Sequence, residues 1–220
     1  IVAHPDTSWR SLGDLLEDIK ARPGKIRMGS TGPGGLPYVV GAMLGSVGDF
    51  QVIPIPFDGD GPAISALLGG HIDFLPSGYT ATSEHIRSGR LRALAVVNDT
   101  EIDLLPGVPP ITEDYPVFKK FLPWGPFYGV FVHKDSDEKV KTLLTQAFRK
   151  GASKPEFKKF VEDFGAIPMN VSGNEANRFL KKWQSVTTWL LHDAGATKVS
   201  REKLMKRYRN AREYGRRETA

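Results

Sequence analysis

Apolar residues recur at helical and strand spacing in alternation along most of the chain, which is the pattern of an α/β fold. Residues 9–21 place Leu12, Leu15, Leu16 and Ile19 on one helical face, with Ser8 ahead of the stretch and Pro23-Gly24 to stop it. Residues 25–30 read as a short strand, and a glycine-rich turn from Gly29 to Gly35 leads into an apolar helix over 38–47. A strand follows over 51–57, where Pro54 and Pro56 predict a sheet edge or a distorted ladder. Pro62 suits the first turn of a helix that runs through Leu68. Residues 71–76 read as a strand, the next helix runs to about Ser88, and 91–97 form a buried strand.

After Asn98 the pattern changes. Residues 99–123 hold five prolines and no clear period, as expected of a crossover between lobes. Residues 125–134 then read as a strand, and Asp135 is placed to cap a helix over 137–151. Ser153–Glu156 forms a capping-box pattern that opens a helix through about Phe164. Residues 166–171 read as a short strand. A second capping-box pattern, Ser172–Glu175, opens a long amphipathic helix carrying Phe179, Leu180, Trp183, Val186, Leu190 and Leu191, with Gly195 as its stop.

Composition narrows the class. The chain has 220 residues, is 40% hydrophobic and 25% charged, and is therefore a globular protein rather than a disordered or fibrous one. It contains no cysteine, which excludes disulfide scaffolds, cysteine-ligated metal and thiol catalysis. No apolar run is long enough to span a membrane. Ile rather than Met at position 1 is the expectation for a processed or trimmed start. The formal charge is +5, but residues 198–220 hold nine basic and three acidic residues. Residues 1–197 are left with 21 basic and 22 acidic residues, so the body is nearly neutral and offers no nucleic-acid surface. In the tail, Leu204, Tyr208 and Ala211 form a narrow stripe at helical spacing, expected as a solvated helix or frayed end.

Three strand-end loops are the candidates for chemistry. Gly29-Ser30-Thr31-Gly32-Pro33-Gly34-Gly35 lies between a strand and a helix, where open α/β folds place ligands. Its backbone N–H groups, the Ser30 and Thr31 hydroxyls and the helix dipole behind them suit a carboxylate. It lacks the Lys-Ser/Thr pair of a P-loop and fails the GxGxxG pattern at Pro37. Asp58-Gly59-Asp60-Gly61 has the same build, with N–H groups at Gly59 and Gly61 and Asp60 as a candidate N-cap. A carboxylate at Asp58 pointing into a cleft would repel an anion and attract an ammonium group. Ser77 in Pro76-Ser77-Gly78-Tyr79 offers a hydroxyl after the third strand. Catalytic signals are weak: five scattered histidines, no HExxH and no GxSxG. Trp124, Phe127 and Tyr128 are either core or a wall over a bound ligand.

The motifs, in order, resemble the substrate-binding receptors of tripartite tricarboxylate transporters, often called Bug-type receptors. The resemblance is carried by GSTGPGG (29–35), VIPIPFDGDGPAISALLGGHIDF (52–74), IRSGRLRALAV (86–96), LPGVPPITEDY (105–115), WGPFYGVFVHKD (124–135) and GASKPEFKKFVEDFGAIP (151–168). It implies a two-lobed periplasmic clamshell of the type II, Venus flytrap kind, binding a small carboxylate or amino acid with no cofactor and no covalent step. It implies delivery to the permease subunits of a membrane transporter, and a site that includes Ser30, Thr31, Gly32, Gly34, Gly35, Asp58, Gly59, Gly61 and Ser77.

Family chains begin about 90 residues earlier, a length consistent with the first strands of the other lobe. The expected organisation is therefore one complete α/β lobe over 1–98, a crossover over 99–123, part of the second lobe with its long helix over 124–197, and a basic tail over 198–220. Such a truncated form would leave a sheet edge that favours self-association. The family's usual Lys is Asp58 here, its usual Ser/His positions are Pro37 and Tyr38, and Ser77 stands at a commonly acidic or amide position. These departures point away from a simple polyacid. Two other classes fit a glycine loop: an α/β enzyme on a small anion, which lacks an identifiable base here, and a ligand-sensing regulator domain, which would need a DNA-binding segment.

Overall fold

A computed structural model of the chain describes residues 1–48 and 50–196. The basic tail and its apolar stripe lie outside the described residues. The first lobe alternates strand and helix: β1 (Val2–Ala3), α1 (Leu12–Ala21), β2 (Arg27–Ser30), α2 (Leu36–Val47), β3 (Ile53–Pro56), α3 (Asp60–Leu68), β4 (Phe74–Leu75), α4 (Tyr79–Arg87) and β5 (Arg92–Ala93). The sheet order is β3-β2-β4-β1-β5. Strands β2, β3 and β4 run parallel, and β1 runs antiparallel to both β4 and β5. The proline-bearing β3 takes an edge, where each missing N–H costs no ladder bond on its outer side.

The sheet divides two apolar layers. On one side Leu12, Leu15, Leu16 and Ile19 of α1 and Val39, Val40, Met43 and Leu44 of α2 pack with Phe74 and Trp124. On the other, Ala63, Ile64 and Leu67 of α3 pack with Ile72, Leu75 and Leu91, with Ala81 and Ile86 of α4 against them. Helix α1 starts at a reciprocal capping box of Ser11 and Asp14, not at Ser8. Ser11 has an acidic residue three positions on, which returns a bond to the cap's own N–H; Ser8 is followed by Ser11 and gains no such partner.

Beyond the crossover come α5 (Glu138–Ala152), α6 (Pro155–Asp163) and α7 (Gly173–Asp193). Several local expectations shift here. Helix α5 is capped by Asp137, whose side chain accepts from Lys139 N at 2.7 Å, rather than by Asp135. Ser153 does not cap α6: its hydroxyl donates back to Arg149 O at 2.8 Å, and the N-cap is Lys154. Ser172 is the N-cap of α7, but its hydroxyl accepts from Arg149 Nε at 2.7 Å instead of closing a capping box. The expected strands over 125–134 and 166–171 pair with no strand among the described residues. A strand is stable only with a partner ladder, and apolar β-prone sequence cannot supply one.

Helix α7 carries the chain back to the first lobe. Trp183, Val186, Leu190 and Leu191 join the core layer that α2 occupies. Trp124 is core: its indole stacks on Trp183 at 6.2 Å and donates from Nε1 to Thr187 Oγ1 at 2.8 Å. Phe127 packs edge-on against Trp183 and Phe179, whereas Tyr128 is exposed. No described helix is long and apolar enough to cross a membrane.

Candidate functional site

The carboxyl ends of β2, β3 and β4 are adjacent, and each feeds a short loop into a helix. Register places Ser30 beside Pro56, and a bond of 2.8 Å from Phe57 N to Ser30 O extends the pairing into the loops. The β2–β4 register pairs Met28 with Phe74, so the residues two further on, Ser30 and Pro76, end at the same level. The structure thus brings the ends of the three predicted segments, 29–35, 58–61 and 76–78, to one end of the sheet.

The three helices share a glycine start. Their N-caps are Gly35, Gly59 and Gly78, and none has a side-chain cap bond. A helix N-terminus normally satisfies its free N–H groups with a capping Ser, Thr, Asp or Asn. Here those donors and the positive ends of the dipoles are left for solvent or a ligand. Helices α2 and α4 carry no acidic residue in the first turn, whereas α3 carries Asp60. Asp60 is the first residue of α3 and not its N-cap; the cap is Gly59, at φ 103° and ψ 179°, a conformation open in practice only to glycine.

Each predicted residue can be placed. Ser30 is the last residue of β2 and is buried. Thr31 follows half-buried, and its Oγ1 lies so close to Gly35 that a Cβ there would displace it; Gly32 O would be 3.3 Å from that Cβ. Gly32 and Gly34 take positive φ and shape the turn. Asp58 is exposed just before the α3 cap, with Gly61 exposed in the first turn. Ser77 is half-buried beside Gly78, its hydroxyl 3.5 Å from Gly78 O.

Sequence reasoning missed what stands next to this end of the sheet. The first residues of α4 meet the turn after α6: Thr80 Oγ1 donates to Phe164 O at 2.5 Å. Nothing local links positions 84 apart, and the only hint was the glycine at 165. A hollow of about 160 Å³ lined by Trp9, Asp18, Arg22 and Asp73 lies at the opposite, amino end of the strands. Its acids are already engaged: Asp18 bonds Arg22 and Trp9 Nε1, which holds its carboxyl below the usual range, and Asp73 bonds Arg27.

An α/β lobe with a mixed sheet and glycine-capped helix starts over the carboxyl ends of its parallel strands, joined to a partial second lobe, has the architecture of periplasmic binding proteins. Residues 1–193 match the tripartite tricarboxylate transporter family receptor, and the chain belongs to that family. It is 29% identical to Protein BugT of Bordetella pertussis over 194 residues, covering 84% of this chain and 57% of BugT. A solved periplasmic transporter superposes with a TM-score of 0.70 at 27% identity, over 86% of this chain and 61% of the other. An R. palustris protein, Rpa4515, solved with adipate, shares the fold with a TM-score of 0.69 at 16% identity, over 88% of this chain and 64% of its own. The chain therefore spans about half to two thirds of the length of these relatives.

Proposed function

We propose that this chain is the ligand-holding part of a solute receptor that binds a small carboxylate or amino acid without chemical turnover. It would act outside the cytoplasm and pass its ligand to the permease subunits of a tripartite tricarboxylate-type transporter. The observation that carries this reading is the set of three neighbouring helix starts with glycine caps and no side-chain cap bond. Ser30, Thr31, Gly32, Gly34, Gly35, Gly59, Gly61 and Ser77 are the proposed contacts. The α2 and α4 starts suit the carboxylate, because no acid shares them. Asp58 and Asp60 make the α3 side favourable to a ligand ammonium group. The adipate bound by Rpa4515 supports the carboxylate class.

Calorimetric titration of the purified chain with adipate, malate, glutamate and inorganic phosphate tests this. The expected result is saturable binding of at least one carboxylate, weakened about tenfold in Ser30→Ala or Thr31→Ala, as for loss of a bond to a charged group. Binding of phosphate alone, or equal affinity in both variants, would overturn it. Self-association belongs to the same reading. Val130, Phe131, Leu143 and Phe160 are exposed apolar side chains on the second-lobe part, and exposed apolar surface favours association of copies. Sedimentation over a concentration series should show a dimer that Phe160→Ser weakens.

A further inference from the structure

The second-lobe part touches the first lobe beside the proposed site through a small, well-defined contact. Thr80 Oγ1 on α4 donates to the Phe164 carbonyl at 2.5 Å. Gly165, at φ +82°, lies against the Tyr79 ring so closely that a Cβ would overlap Tyr79 Cδ1. That Cβ would also stand 3.1 Å from Tyr79 Cε1 and 3.3 Å from Thr80 Oγ1. Phe164 in turn receives Tyr128 edge-on at 5.9 Å. Tyr79 and Thr80 are the first two residues of α4, directly after Gly78 and Ser77.

We propose that Tyr79, Thr80, Phe164 and Gly165 form a releasable latch that sets how often the two lobes are closed over the cleft. The bond is the kind that releases. Thr80 and Phe164 are exposed, so water replaces both partners when they separate. No deep apolar seat makes the contact permanent: α6 buries none of its residues and α5 only Ala152. Gly165 has two reasons to be glycine. Its positive φ excludes most side chains, and any Cβ would prise the turn off Tyr79. The consequence for ligand rests on the receptor reading. A ligand that touches both lobes binds the closed state, and its apparent affinity scales with the closed fraction.

The chain contains no cysteine, so two spin labels can be placed without background. Exposed positions Arg90, after α4, and Lys158, on α6, lie one on each part, and R90C/K158C labelled on the full chain reports their separation by pulsed EPR. The parent should show a short distance as its main population. Thr80→Val, which removes only the donor at an exposed site, should add a longer population, and Gly165→Asn should make it dominant. Asn tolerates positive φ, so its effect reports the Cβ and not backbone strain. Identical distance distributions in parent and Thr80→Val, with unchanged circular dichroism, would overturn the latch. The same would follow if Gly165→Asn folds and keeps the short distance. Titration of these proteins with adipate, malate and glutamate separates the two readings. Longer distances with no binding of adipate, malate or glutamate by any of these proteins would keep the latch and count against the receptor assignment. Longer distances with affinity reduced by the loss of closed fraction would support both.

Discussion

Gly29 illustrates how much one residue can decide. It lies in β2 under the start of the glycine loop, and a Cβ there would come within 2.7 Å of Ile72 Cδ1 and Leu75 Cδ1. Both neighbours are buried in a filled layer and cannot move without cost. Gly29→Ala should therefore destabilise the fold by about 1–3 kcal/mol in urea unfolding, as overpacking does. Thr187 makes a second residue-scale case. It is the partner of the buried Trp124 indole and also donates to Trp183 O at 2.9 Å. Thr187→Val keeps the shape but leaves the indole N–H unpaired, so a loss of about 1–3 kcal/mol is expected, with a change in tryptophan emission. Glycine needs at 29–35 were visible in the sequence as a cluster. The pairing of Trp124 with Thr187 was not, because 63 positions separate them.

At the level of elements, helices α1 to α3 were legible because each buries apolar residues and stops at or just before a Gly or Pro. The start of α1 shows the local limit. Ser8 stands ahead of the apolar stretch, but the reciprocal bond with Asp14 makes Ser11 the cap. Ser11→Ala should cost about 1 kcal/mol, read as a lower melting temperature, whereas Ser8→Ala should be neutral. The stretch 125–134 shows the opposite limit. Its aromatic and β-branched residues are those of a strand, yet strand formation is a property of pairs. Capping-box patterns at Ser153 and Ser172 failed for a similar reason: Arg149 competes for both hydroxyls, through its carbonyl for one and its guanidinium for the other.

For the whole molecule, α7 joins the parts by laying its apolar face on the α2 layer, so the second-lobe part leaves and returns to the same core. In the 220-residue polypeptide with a free amino group at Ile1, that group sets a pH dependence. The Ile1 amino group donates to Ala95 O at 2.9 Å, and burial lowers its pKa from 8.0 to about 5. The unfolded chain then binds more protons between those values, so stability rises with pH through the window. It is complete above about pH 8 and lost as pH falls toward 5. For the 220-residue chain with a free amino group, unfolding free energies from pH 5 to 8 should increase, and N-terminal acetylation should remove that slope. A flat profile in the free-amine protein would contradict the burial.

Sequence by itself determined the α/β class, the approximate positions of the helices, the choice of edge or distorted ladder for the proline strand, and the glycine loops that follow the strands. These follow from side-chain period, backbone permissions and connection rules, all of which act over a few residues. Tertiary structure decided that the three glycine-started helices stand over one sheet end and that Asp60 begins α3 rather than capping it. It also decided that residues 125–134 remain without a ladder, and that Thr80 meets Phe164. Each of these depends on which distant group arrives as a partner, and no local free-energy preference encodes that arrival.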